Sequence, residues 1–110
     1  MTRLRPKYRS GRCYELAWRY LIFDERFADG GWLLVHGEIV SPIGSGLPIQ
    51  HAWLSGPKGV FDPVSNRYFD SAEYETRYSA RENTTYAREE ARKVGLDAGH
   101  YGPWPGTRTA

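Results

Sequence analysis

Two short apolar runs joined by a turn constrain this chain more than anything else in it. Gln50-His51-Ala52-Trp53-Leu54 and Val60-Phe61-Asp62 are separated by a segment containing Gly56-Pro57-Lys58-Gly59. A Gly/Pro cluster of that length between runs rich in apolar residues specifies a turn, so the two runs pair as an antiparallel hairpin. Period-2 alternation places His51, Trp53 and Ser55 on one face and Ala52 and Leu54 on the other. Pro63, lacking an N–H, stops the second run or marks it as an edge strand. The hairpin therefore puts an imidazole and a carboxylate, eleven positions apart in sequence, on neighbouring strands. A carboxylate in that place can hold one ring nitrogen and so fix the tautomer of the other.

Covalent chemistry would need a nucleophile beside that pair, and the single cysteine of the chain, Cys13, is the candidate. Ser10-Gly11 offers a helix N-cap. Cys13, Leu16, Ala17, Tyr20 and Leu21 then recur at the spacing of a buried helical stripe, and Asp29-Gly30-Gly31 ends the helical region. A thiol in the first helical turn faces unpaired backbone N–H groups and the positive end of the helix dipole, which favour thiolate. Arg12 adds local positive charge, and the same N–H groups can receive an oxyanion. Each residue also has an ordinary role. A lone cysteine is usually a small buried hydrophobe, Asp62 before Pro63 can simply form a turn, and His51 can bond a backbone carbonyl. The order Cys13, His51, Asp62 gives them a joint one: nucleophile, general acid and base, and orienter. Asn66 is an alternative orienter. His36 and His100 are rival imidazoles, but neither is followed by a pattern that supplies a carboxylate. Gln50 and Tyr14 are candidates for the oxyanion or substrate site. Trp53 would shield the pair if it stacked over it. Trp18 and Tyr101 could also line a site, although Trp18 serves equally as packing.

The rest of the chain supplies a small mixed fold. Residues 32–40 read as a strand, apolar on both faces over Trp32-Leu33-Leu34-Val35, and residues 41–48 as a Gly/Pro/Ser-rich loop. Asp70-Ser71-Ala72-Glu73 has the form of a capping box opening a short helix to Tyr78. Residues 79–84 make a last strand. Thr85 caps a helix over residues 86–98, with acidic residues early and basic ones later, and Gly99 is its C′ residue. The expectation is an α+β domain over residues 11–104, preceded by a basic arm (1–10) and followed by a flexible tail (105–110). At 110 residues there is room for one core, with four Trp and eight Tyr supplying much of the buried surface. One cysteine excludes an internal disulfide, and histidines at 36, 51 and 100 show no ligand spacing, so neither metal nor cofactor is expected. No apolar run approaches the roughly 20 residues of a membrane span, and the basic start lacks the apolar stretch of a signal peptide. A cytoplasmic location follows as an expectation. A net charge of +2 argues against nucleic acid. Arg3, Arg5, Lys7, Arg9 and Arg12 nonetheless crowd the first twelve residues, as a solvated arm or a contact for an acidic partner or a phosphate backbone.

His51-Ala52-Trp53, a short turn and Phe61-Asp62-Pro63-Val64 resemble the His and Asp strands of transglutaminase-like and other papain-like thiol enzymes. Gly11-Arg12-Cys13-Tyr14 would be the nucleophile end of the helix. The resemblance covers roughly residues 11–66 and implies a papain-like core, an N-terminal helix bearing the cysteine packed on an antiparallel sheet, with Cys13 as nucleophile, His51 as base and Asp62 as orienter. It departs from the family where papain-like peptidases place Gln or Asn before the cysteine, since residues 1–12 contain neither. Gln50 or the Cys13 N–H would have to complete the oxyanion site. The chain also lacks the length for an extended peptide cleft, which favours attack on one exposed amide, ester or isopeptide bond of a protein or peptide. The segment from Tyr86 to Trp104 resembles small proteins of bacteriophages and prophages. That resemblance implies no activity. The alternative class is a non-catalytic binding protein, such as a phage-encoded modulator of a host protein, on the same scaffold.

Overall fold

The computed structural model describes residues 12–104. Helix α1 (Cys13–Phe23) leads through a 3-10 turn (Glu25–Phe27) to strand β1 (Leu33–Ile39), and β2 (Ile49–Gly56) and β3 (Gly59–Asp62) follow as a hairpin. Strand β4 (Arg67–Phe69), helix α2 (Ser71–Tyr78), strand β5 (Arg81–Ala87) and helix α3 (Arg88–Ala98) complete an α+β fold. The sheet order is β4-β3-β2-β1-β5, and every neighbouring pair is antiparallel.

Alternation along the central strands creates two cores. Leu34, Ala52, Leu54, Phe61 and Tyr86 point to one face, where they pack with Cys13, Ala17, Trp18 and Leu21 of α1 and Ala91 of α3. Val35, Trp53 and Val60 point to the other, against Tyr74 of α2 and Phe69. A strand covered on both faces has no polar side to show, which is why residues 32–35 read as continuously apolar. Each buried aromatic or aliphatic side chain here contributes about 1.5–3 kcal/mol of burial.

Local chemistry fixes the ends of the elements. The Asp70 carboxylate accepts from the N–H groups of Ala72 and Glu73 (3.0 and 3.3 Å) at the start of α2. Gly99, at φ 75°, closes α3 in the left-handed conformation. Arg88 donates to the carbonyls of Leu21 and Ile22 (3.2 and 2.8 Å), satisfying the C-terminal end of α1. The Trp18 indole N–H donates to the Ala91 carbonyl at 2.7 Å, so α3 sits close on α1. Gly95 permits that approach, because a Cβ there would lie 2.5 Å from Trp18 Nε1.

Three sequence expectations change. Strand β4 was absent from the reading because three residues, two of them exposed, carry no detectable alternation. Its presence makes β3 an interior strand, so Pro63 ends it rather than marking an edge. The last strand runs to Ala87, past Thr85, and α3 starts at Arg88. Pairing with β1 continues through Leu33↔Ala87, and Tyr86 is buried beneath it, which overrides the capping propensity of Thr85. The Glu90 carboxylate accepts instead from the Ala87 N–H at 3.4 Å. The basic arm, the Ser10-Gly11 cap and the 105–110 tail lie outside the described residues.

Candidate active site

Cys13 is the first residue of α1, 6% exposed and packed in the α1-face core. The N-cap residue is Arg12, which makes no side-chain cap. Its guanidinium instead donates to both Glu15 carboxylate oxygens at 2.8 and 2.6 Å. The positive charge that the sequence assigned to the thiol is thus largely committed to a carboxylate. What remains beside Cys13 is the helix end itself, whose first N–H groups have no intrahelical acceptor.

His51 and Asp62 meet where the hairpin ladder stops. Pairing between β2 and β3 covers Leu54–Gly56 against Gly59–Phe61, and the two side chains sit just beyond it. His51 Nε2 lies 3.0 Å from Asp62 Oδ2. The Cys13 sulfur acts on the same ring together with Asp62, both favouring its protonated form, so the imidazole lies between thiol and carboxylate. His51 and Asp62 are each 5% exposed and, with His36, are the buried polar side chains among the described residues. Buried polar groups persist when they are hydrogen-bonded, and both oxygens of Asp62 have partners. Its Oδ2 also accepts from the Tyr74 hydroxyl at 2.6 Å, and its Oδ1 accepts from the Val64 N–H at 2.9 Å.

These contacts decide the protonation states. Burial alone would push the His51 imidazole toward its neutral form. Hydrogen bonds to Asp62 and Cys13, with their Coulomb attraction, overcome that and raise it to about 9. Burial likewise works to raise the Asp62 carboxyl, but His51, Tyr74 and the Val64 N–H together hold it below its ordinary value. Burial, with the Asp62 charge beside it, pushes the Tyr74 phenol far up, so it stays a donor. At neutral pH the pair is imidazolium and carboxylate, and the ring has N–H bonds to offer on both sides.

Other candidates separate by position. Trp53 stacks on His51 (centroids 6.0 Å apart, planes 29° apart) and is 2% exposed in the α2-face core. It covers the ring, and it also lines a pocket on the α2 face with Ser55, Tyr74 and Glu82. Tyr14 and Gln50, the neighbours of Cys13 and His51, line one pocket, and the Tyr14 hydroxyl is 3.4 Å from Gln50 Oε1. Asn66 turns to Tyr20, whose hydroxyl lies 3.3 Å from its Oδ1, which excludes it as the orienter seen here. His100 accepts from the Gly102 N–H through Nδ1, and His36 is enclosed by Tyr14, Tyr86 and Trp104. Trp18 is packing, and Tyr101 accepts from Arg19 at 2.9 Å on the outer side of α1.

Tyr74 was missed. The sequence shows it only as a buried-face position four residues after the helix cap, and nothing there indicates what its hydroxyl meets. Among the described residues no three His, Cys, Asp or Glu side chains come together as a metal site, and no helix is long and apolar enough to cross a membrane. No protein-family model matches this chain, and neither a curated protein nor a solved structure matches it.

Proposed function

We propose that this protein is a thiol-dependent hydrolase or acyltransferase on a papain-like scaffold, acting in the cytoplasm on an amide, ester or isopeptide bond of a protein or peptide. The observation that carries the reading is one imidazole held by a buried carboxylate whose two oxygens are both hydrogen-bonded, and influenced by the only cysteine of the chain, at a helix start. In the reaction, Cys13 sulfur attacks the carbonyl carbon as thiolate beside the His51 imidazolium, and the N–H groups opening α1 receive the oxyanion. The C–N or C–O bond breaks as His51 gives its proton to the leaving amine or alcohol, leaving a thioester on Cys13. The neutral ring then takes a proton from water or an amine as that group attacks the thioester, and sulfur departs as thiolate. Asp62 keeps the ring oriented and supports its positive charge in both halves.

The burial of Cys13 favours a second reading, a non-catalytic protein that modulates a host protein and keeps the three residues as a structural polar bridge between its two cores. Iodoacetamide labelling at neutral pH separates the two. The enzyme reading expects native wild-type protein to label and His51→Ala to label roughly tenfold more slowly, since the thiolate is the reactive species. Equal rates in both proteins, or labelling only in denaturant, would establish the structural bridge instead.

A further inference from the structure

A second buried imidazole lies on β1. His36, at the centre of β1, is 6% exposed and its Nε2 has no hydrogen-bond partner. Native interiors rarely keep such a group, since phenylalanine would fill the same place without the desolvation cost. The ring is held edge-on to Tyr14 (4.7 Å) and Tyr86 (5.1 Å) and tilted against Trp104 (5.0 Å). It lines a pocket of about 330 Å³ together with Tyr14, Gln50, Thr84, Tyr86 and Trp104, a volume within the range of small-molecule sites.

The chemistry of that lining is narrow. None of its nine residues is an Asp, Glu, Lys or Arg. Burial lowers the His36 imidazole to about 4 and raises the Tyr14 phenol to about 12, so both are neutral near pH 7. A charged ligand would lose its hydration there and find no counter-charge. Aromatic walls suit another planar ring. The exposed amides of Gln50 and Asn83 at the mouth suit the N–H and C=O groups of a peptide. Two of the pocket's lining residues, Tyr14 and Gln50, are the chain neighbours of Cys13 and His51.

We infer that this pocket receives the uncharged aromatic side chain of a peptide or amide, as the acyl-side recognition site for the thiol. Its position as an acyl site rests on the function proposed above, whereas its preference for an aromatic residue rests on the lining alone. N-acetylphenylalaninamide is therefore titrated into isotope-labelled Cys13→Ala protein and followed by NMR, which reads binding without chemistry. The expected result is saturable shifts at the amides of Gly37, Asn83 and Thr84, weakened roughly tenfold when Thr84→Trp fills the pocket. Asn83→Trp, at an exposed position of the mouth, gives the same loss if Thr84→Trp does not fold. N-acetylaspartate amide and tetramethylammonium should give no shifts there. Absence of saturable shifts with the aromatic probe, equal binding of the charged probes, or unchanged affinity in the filled variants would overturn the inference. Binding of the aromatic probe alongside an unreactive Cys13 would instead count against the thiol reading and leave the pocket assignment standing.

Discussion

Tyr74 donates its hydroxyl to the Asp62 oxygen that also meets His51, at 2.6 Å against 3.0 Å. A helix on one face of the sheet thus holds the carboxylate that meets the His51 ring. Tyr74→Phe keeps the ring in the α2-face core and removes one hydrogen bond to a buried charge. The expected cost is about 1.5–3 kcal/mol of stability, measured by denaturant unfolding. The Asp62 carboxyl should also titrate higher than in the wild type by NMR. An unmoved carboxyl titration would show that Tyr74 is only packing.

Stability should depend on pH in a defined window. His51 is raised in the folded protein from an ordinary 6.5 to about 9, so its contribution is complete below pH 6.5 and is lost as pH rises through about 9. Asp62 is lowered from 3.8, so its contribution is complete above that value and is lost as pH falls through its depressed one. A plateau between about pH 4 and 6.5 follows, with an alkaline loss of up to roughly 3 kcal/mol from the His51 term. Unfolding midpoints across pH 4–10 test this. In Cys13→Ala the His51 titration should move to lower pH, and an unmoved midpoint would mean that sulfur and imidazole do not interact.

Acylation by an activated aryl ester should separate the three roles. Cys13→Ala abolishes the covalent adduct seen by mass spectrometry. His51→Ala lowers its rate by roughly 10²–10⁴-fold, the usual worth of a positioned acid–base group. Asp62→Ala keeps more rate than His51→Ala, because the ring remains but is no longer held. Identical rates in wild type and His51→Ala would end the assignment of His51 as the base.

The α1–α3 contact gives a test against ordinary helix propensity. Gly→Ala inside a helix normally gains about 1 kcal/mol. Gly95→Ala should instead lose stability, because the new Cβ would lie 2.5 Å from Trp18 Nε1 and push the indole off the Ala91 carbonyl. A thermal midpoint higher than wild type would show that the helices separate freely.

Much of the site was legible because its parts are local. Gly56-Pro57-Lys58-Gly59 fixes a hairpin, and a hairpin of that length must bring the strands of His51 and Asp62 side by side. The stripe Cys13, Ala17 and Leu21 fixes a helix and the face it buries. Arg12 misled because charge proximity in sequence ignores the partner one turn on, Glu15. Alternation puts Trp53 on the His51 face, and only the packing of α2 shows it lying there against Tyr74, at the wall of a pocket.

By itself the sequence determined the α+β class, the hairpin, the start of the cysteine helix and the three residues with complementary chemistry. These depend on periodicity, turn residues and caps, which act within a few positions. Tertiary structure alone decided that β4 shields β3, that β5 outruns the cap at Thr85, that Tyr74 completes the Asp62 shell, and that His36 lines a neutral pocket. Each of those is a contact between elements distant in sequence, where burial and hydrogen-bond satisfaction outweigh the propensity of any single residue.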